Sequence, residues 1–234
     1  MLTSVRSLLA ATLLASTVLT AAPALAQDDD AAASPFTVSG NVAMTSDYRF
    51  RGVSLSAGDF AIQGGTPYGE VELDVYGGWT GDVAEGVTVD VGLLYYIYPT
   101  TDDPLGLDPD TDYFEPYASI STTIGPVGAT LGAAYAWDQD SLGGNDNLYI
   151  YTDWSLGVPS TPLSFTAHLG YTDGVLAPPL LAGTADDTGL DWSLGVSGTI
   201  YGGLSGSLSY VGVEGPSIDG FTDDAIVATL SFSM

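Results

Sequence analysis

From Phe36 to Met234 the chain repeats one pattern: alternating apolar and polar side chains, then a turn rich in Gly, Pro or Asp. Residues 87–93, VTVDVGL, place Val and Leu on one face of an extended strand and Thr, Asp and Gly on the other, because side chains alternate between the faces of a strand. Residues 190–197 and 226–233 alternate in the same way. Repeated over segments of about ten residues, this pattern predicts an all-β fold, an antiparallel transmembrane β-barrel. A secreted, soluble β-sandwich is the alternative, since its strands alternate too.

The first 26 residues have the features of a secretory signal peptide. Arg6 precedes a Leu-rich apolar run, and Ala24-Leu25-Ala26 has the A-x-A form of a cleavage site. We therefore expect a signal peptide over residues 1–26, an acidic leader over residues 27–35 and a single barrel over residues 36–234. No later stretch has the roughly 18 consecutive apolar residues of a transmembrane helix, so the predicted spans are strands. The expected location is the bacterial outer membrane.

Charge narrows the classes of partner. The sequence has 29 acidic residues and no Lys, and removal of the signal peptide leaves only Arg49 and Arg51 as basic residues. Such a chain is unsuited to nucleic acid, whose binding depends on neutralising phosphates with Lys and Arg. The chain also has no Cys, so hydrogen bonds rather than disulfides must close the fold. No motif predicts a cofactor.

The pattern predicts about twelve strands, an even number that puts both chain ends on one side of the membrane. Ten strands are the alternative, with the first three segments the ones in question. The predicted strands are 36–45, 48–56, 59–66, 70–80, 87–98, 114–124, 127–137, 147–158, 163–172, 189–201, 204–213 and 224–234. Short connections are expected at one end of the barrel, at 125–126, 158–162 and 202–203, and long acidic loops at the other, at 99–113, 138–146, 173–188 and 214–223.

Aromatic residues recur near the predicted strand ends, where amphipathic rings favour the lipid headgroup level. They are Tyr95, Tyr98, Tyr135, Trp137, Trp154, Tyr171, Trp192 and Tyr201. General β-propensity of aromatic residues is the alternative explanation.

Several stretches carry a family resemblance. Residues 46–54, SDYRFRGVS, are followed by QGG at 63–65, LDVYGG at 73–78 and YYIYP at 95–99, with EPYA at 115–118 and NLYIY at 147–151. Together these stretches resemble the TorF family of proteobacterial outer-membrane proteins, which are proposed to be porins. The resemblance implies a porin without naming a solute. Two departures are a missing Gly-rich and aromatic segment between Gly65 and Glu70, and a last residue, Met234, that is not aromatic.

If the apolar side chains of each strand face lipid, the charged ones must face the lumen, because a charge on the lipid face is costly. The predicted lumen carboxylates are Glu70, Glu72, Asp74, Asp90, Glu115, Asp153 and Asp191. Arg49 and Arg51 lie two apart on the predicted strand 48–56 and should point inward together. We expect them to pair with these carboxylates, Asp74 and Glu72 first, either as a brace that closes the lumen or as a selectivity ring.

Two further candidates carry weaker signals. Asp108, Asp110 and Asp112 have the alternate spacing of a calcium loop, but Tyr113 and Ser119 stand where an EF-hand needs Gly and Glu. No dedicated metal site is predicted, and looser calcium binding by the loops remains open.

His168, the only histidine, shares a predicted face with Ser164 and Thr166, but no hydrolase motif accompanies it. It is interpreted as a lumen histidine, and no enzymatic activity is expected.

The predicted function is passive diffusion of small hydrophilic solutes through an outer-membrane porin, with cations preferred because carboxylates line the lumen. Predicted partners are outer-membrane lipid, small solutes or ions and the outer-membrane assembly machinery; the oligomeric state is left open. The alternative is a non-conducting barrel with a structural or surface-binding role through its acidic loops.

Overall fold

The structure is a computed structural model that describes residues 41–62, 73–97 and 112–233. These residues form thirteen strands, one 3₁₀ turn and one short helix. The strands are β1 (Asn41–Thr45), β2 (Arg49–Phe50), β3 (Val53–Ser54), β4 (Ala61–Ile62), β5 (Leu73–Ala84), β6 (Val87–Ile97), β7 (Tyr113–Ile124), β8 (Val127–Gln139), β9 (Asn145–Gly157), β10 (Leu163–Gly174), β11 (Thr188–Tyr201), β12 (Leu204–Val213) and β13 (Ala225–Ser233). The 3₁₀ turn is Asp140–Leu142 and the helix, α1, is Pro178–Leu181.

Eleven of the strands form one antiparallel sheet in the order β4-β1-β13-β12-β11-β10-β9-β8-β7-β6-β5. From β5 to β13 each strand pairs with the next one along the chain, as in an up-and-down meander. The prediction of an all-β, antiparallel fold is confirmed. The two edge strands are β4 and β5. Residues 63–72, between them in the chain, lie outside the described residues and include the predicted lumen residues Glu70 and Glu72.

The sheet curls around its own interior. Strands β7 and β12 are five ladders apart, which would separate them by roughly 24 Å in a flat sheet. Arg51 nevertheless forms an ion pair with Glu115 on β7, and the adjacent Gly52 lies against Val213 on β12. Two neighbouring residues can reach both strands only if the sheet curves so that β7 and β12 face each other across an interior. We call the enclosed space the lumen.

The outer face of the curled sheet is apolar. Leu194 is 61% exposed, whereas its inward neighbour Ser193 is 5% exposed. The larger outward set is Val91, Leu93, Ile120, Leu131, Ile150, Leu156, Phe165, Leu169, Leu208, Ile226 and Leu230. Period-two alternation therefore sorts the strands into an apolar outer surface and a polar lumen, as the sequence predicts.

Aromatic rings form a continuous outward row at one end of the sheet. Tyr95 on β6 stacks on Phe114 of β7 with ring centroids 4.1 Å apart, and Phe114 stacks on Trp137 of β8 at 6.1 Å. The hydroxyl of Tyr135 donates to Asp146 at the rim. Amphipathic rings with a hydroxyl directed to the rim suit a membrane interface. Tyr98, also predicted here, lies outside the described residues.

The connections differ in length between the two ends. Turns of two to five residues, 85–86, 125–126, 158–162 and 202–203, join strands at one end, the short-turn end. The opposite, long-loop end carries residues 46–60, 175–187 and 214–224. The loop predicted over 138–146 is shorter than expected, because β8 extends to Gln139 and β9 begins at Asn145.

Helix α1 lies at the long-loop end, where its Pro179 ring packs against Gly189 and Gly215. Within the described residues, no helix is long and apolar enough to cross a membrane.

The prediction of one strand over residues 48–56 is wrong. The segment folds back at Arg51 and Gly52, so that the two-residue strands β2 and β3 pair as a small separate hairpin. We call residues 46–60 the lumen hairpin. The predicted strand 59–66 is also reduced: its described part is β4, which pairs with β1.

Candidate functional site

The lumen hairpin turns on two residues with left-handed backbone conformations. Arg51 has φ 48° and Gly52 has φ 78°, the combination that a two-residue type I′ hairpin requires. Glycine adopts this conformation without steric cost. A Cβ atom at Gly52 would also overlap the Val213 side chain on β12. The turn therefore brings the hairpin backbone directly onto the inner wall.

Asp47 holds the hairpin together from within. One of its carboxylate oxygens accepts from Arg49 Nε at 2.6 Å, and the other accepts from Ser54 Oγ at 2.6 Å. Ser56 Oγ accepts from the backbone N–H of Tyr48 at 2.9 Å. Since these bonds join both arms, the hairpin is a folded unit rather than a loose loop.

Arg49 attaches the hairpin to the 214–224 connection. Its Nη1 donates to the carbonyl of Asp223 at 2.5 Å, and its Nη2 lies 3.2 Å from the Asp223 carboxylate. Ser54 N–H donates to the carbonyl of Phe221 at 2.8 Å. These contacts hold the hairpin base at the long-loop end of the lumen.

Arg51 reaches across the lumen to the far wall. Its Nη2 lies 2.5 Å from Glu115 Oε1, and the side chains of both residues are 4% exposed or less. The guanidinium also stacks over Tyr149 at 4.2 Å and over Phe50 at 4.7 Å from the ring centroids. Tyr96 donates to the second oxygen of Glu115 at 3.3 Å. The Arg51 guanidinium thus combines one charge-assisted bond with contacts to two ring faces.

His168 forms a second buried cluster beside Arg51. Its Nδ1 lies 2.6 Å from Asp153 Oδ1 on β9, and its Nε2 lies 3.0 Å from Asp191 Oδ1 on β11. Tyr149 Oη lies 2.8 Å from the same Nε2. This geometry suits an imidazolium that donates from both nitrogens. Because both nitrogens already contact protein groups, neither is directed at a substrate, and the cluster ties three adjacent strands together.

Inward glycines make room for the lumen tyrosines. A Cβ atom at Gly132 would overlap the Tyr151 ring, and one at Gly170 would overlap both the Tyr149 hydroxyl and the Asp191 carboxylate. The rings can therefore lie flat against the wall, close enough for Tyr149 and Tyr151 to stack at 5.5 Å. The packing of the buried clusters depends on the absence of side chains at these positions.

The lumen changes character toward the short-turn end. Small hydroxyl side chains replace the large charged ones, and they pair across strands, as in Ser121 with Thr130 at 2.9 Å and Ser205 with Ser231 at 2.8 Å. Asp90 lies in this half, within hydrogen-bonding reach of Tyr117. The short-turn half is therefore lined mainly by small polar side chains, whereas the hairpin and its partners pack together in the long-loop half.

Most of the described lumen candidates lie where the alternation places them. Glu115, Asp153 and Asp191 are inward and belong to the two buried clusters, whereas Asp74 on β5 is only partly buried and Asp90 lies toward the short-turn end. Both arginines are buried and inward, but the turn, rather than strand alternation, orients them.

Among the described residues, the two arginines pair with carboxylates other than Asp74, and Glu72 lies outside the described residues. Arg49 pairs with Asp47 and Asp223, and Arg51 pairs with Glu115. Asp74 and Glu72 are the partners that the sequence predicts first. Nothing in the local alternation marks Asp47, Asp223 or Tyr149 as contacts of the arginines.

The calcium candidates Asp108 and Asp110 lie outside the described residues, and Asp112 accepts from the Tyr95 hydroxyl at 3.0 Å. The described part of the chain holds no group of three or more His, Cys, Asp or Glu side chains that could bind a metal ion.

Solved structures with similarity to this chain include outer-membrane proteins. The outer membrane channel DcaP of Acinetobacter baumannii is 14% identical with a TM-score of 0.42, over 75% of this chain and 57% of that one. The loop L8 deletion mutant of OmpT, an outer membrane protein of Vibrio cholerae, is 15% identical with a TM-score of 0.43, over 83% and 62%. This chain thus spans less than two thirds of either length. TM-scores below 0.5 do not establish a shared fold.

Comparison with curated proteins gives no significant match. One family profile, described as bacterial protein of unknown function (Gcw_chp), matches residues 29–69 and 65–231. The two matched stretches meet at residues 65–69, the place where the sequence departs from the TorF pattern; membership of the TorF family is not confirmed. The profile covers most of the chain, and the protein therefore belongs to this family of bacterial proteins of unknown function.

Proposed function

We propose that this protein is an outer-membrane β-barrel that allows passive diffusion of small hydrophilic solutes, with a preference for cations. One observation carries the proposal: a single curled antiparallel sheet has an apolar outer face and a lumen of hydroxyls and carboxylates. Water on the outer face would be in contact with a continuous apolar surface, which soluble monomers avoid. Lipid around the outer face removes that contact with water.

The lumen charges support the preference for cations. Its described acidic groups include Asp90, Glu115, Asp153 and Asp191, whereas its basic groups are Arg49, Arg51 and His168 among the described residues. All three basic groups lie in ion pairs with carboxylates. No described ion pair joins Asp90 to a basic group. Carboxylates inside a low-dielectric wall attract cations and repel anions.

The selectivity is tested in planar bilayers. Under a KCl gradient, the purified protein should give a reversal potential of the sign expected when potassium permeates more readily than chloride. The substitution Asp90→Asn should shift this reversal potential toward zero, because it removes a lumen carboxylate. Glu85→Gln, at an exposed turn between β5 and β6, is the matched control and should leave the potential unchanged. Equal permeability to potassium and chloride in the unmodified protein would contradict the preference.

The lumen hairpin favours a second candidate, a barrel that does not conduct and has a structural or surface-binding role. The hairpin crosses the interior and buries both arginines. Folded protein that stays silent in bilayers at every voltage, also after the hairpin is removed, would favour this candidate over the passage.

A further inference from the structure

The lumen hairpin is attached to the wall in a way that would let it move. We infer that residues 46–60 form a closure element that keeps the passage shut, and that separation of Arg51 from Glu115 releases it. The inference rests on the proposed function, since a closure element requires a passage.

Both ends of the hairpin leave the wall at one point. Thr45 on β1 pairs directly with Ala61 on β4, and these two residues enclose the hairpin. The β1 strand continues the ladder to β13 whether or not residues 46–60 are in the lumen. The hairpin can therefore pivot about this pair without opening the sheet, which is the geometry of a hinge.

The hairpin would move as one piece. Its internal bonds, from Asp47 to Arg49 and Ser54, involve no wall residue and survive its release. The polar contacts that would break are the Arg49 bonds to Asp223, the Ser54 N–H bond to Phe221, and the Arg51 ion pair. The ring contacts of Phe50 with Tyr96 and of Arg51 with Tyr149 would break with them. Except at its hinge, the described hairpin shares no ladder with the wall strands.

The principal attachment is of a kind that can be released. A buried ion pair gains little net free energy, because the attraction is largely offset by the loss of hydration of both charges. In the released state Arg51 and Glu115 regain water, and Arg51 Nη1, which is buried without a hydrogen-bond partner in the closed state, becomes solvated. The Phe50 ring also packs edge-on against Tyr96 on β6, and its exposure on release opposes opening, so the closed state is the resting one.

The test measures single-channel open probability in planar bilayers. Glu115→Gln removes the charge opposite Arg51 and nearly preserves the volume, so we expect the open probability to rise about tenfold, the effect of removing about 1.4 kcal/mol from the closed state. Glu85→Gln, the same change at an exposed turn, is the matched control and should behave as the unmodified protein. Heat-modifiable migration on gels shows that each variant is folded.

A disulfide locks the hairpin independently of that variant. The backbone bond between Ser54 and Phe221 brings these residues close enough for Ser54→Cys with Phe221→Cys to form one, and the chain has no other Cys. The oxidised protein should stay closed, and reduction should restore openings. If Glu115→Gln does not fold, the locking and release of the disulfide variant test the closure element without it.

A hairpin deletion separates the two proposals. Residues 46–60 are replaced by Asn-Gly, a two-residue turn suited to join the paired Thr45 and Ala61. A constantly open channel, with reversible locking of the disulfide variant, supports the closure element. If locking, Glu115→Gln and the deletion all leave the channel openings unchanged, the closure element is overturned, whereas the proposed passage still stands. A folded but silent deletion variant would instead overturn the passage itself.

Discussion

His168→Ala should lower the free energy of unfolding by about 3 to 5 kcal/mol, the cost of removing one partner from a buried charged group. The substitution leaves Asp153 and Asp191 facing an empty position, each having lost a bond to a ring nitrogen. Asp191 is 2% exposed, so little water can replace the imidazole. Denaturant unfolding of protein in detergent micelles, followed by tryptophan fluorescence, measures the change.

Two further variants make the His168 prediction specific. Ser164→Ala changes an inward residue on the same strand that is half-buried and outside the cluster, and it should stay within about 0.5 kcal/mol of the unmodified protein. Adding Asp153→Asn to His168→Ala should recover part of the loss, because one uncompensated charge disappears. If His168→Ala unfolds at the same denaturant concentration as Ser164→Ala, the cluster does not stabilise the barrel.

Gly170→Val should destabilise the barrel by about 3 kcal/mol, since it overpacks the wall and displaces two hydrogen-bonded groups together. The new side chain would occupy the space of the Tyr149 hydroxyl and the Asp191 carboxylate, which now bond each other at 3.2 Å. The loss is measured by the same unfolding transition.

Gly77→Val on β5 is the matched control for Gly170→Val. Nothing lies within 4 Å of a Cβ atom at Gly77, so the added side chain meets open space. Valine also favours strands over glycine, and we expect this variant to be neutral or up to about 1 kcal/mol more stable. Equal destabilisation by both substitutions would show that close packing against Tyr149 is not the cause.

Alternation predicted the long strands well, because the period of two is a local property of each strand. The prediction 87–98 becomes β6, Val87–Ile97, and the prediction 163–172 becomes the larger part of β10, Leu163–Gly174. The same period placed His168, Asp153 and Asp191 in the lumen. It could not show that they touch, since contact depends on the register in which β9, β10 and β11 pair.

Residues 46–60 show where alternation is not enough to predict the structure. Tyr48 to Arg51 alternate as a strand would, yet the chain reverses at Arg51 and Gly52. The signal for a turn was the Gly after Arg51, but one Gly within an alternating segment is equally compatible with a strand. The contacts that hold the reversed chain, such as that between Arg51 and Glu115, join residues 64 positions apart.

The sequence by itself therefore determined that the chain forms antiparallel strands with an apolar and a polar face, because alternation acts within each strand and needs no partner. Only the tertiary structure decided what fills the polar interior. The fold of the lumen hairpin depends on charges and ring faces that distant strands bring together, and a burial free energy that exists only after the sheet has curled cannot be read from any local segment.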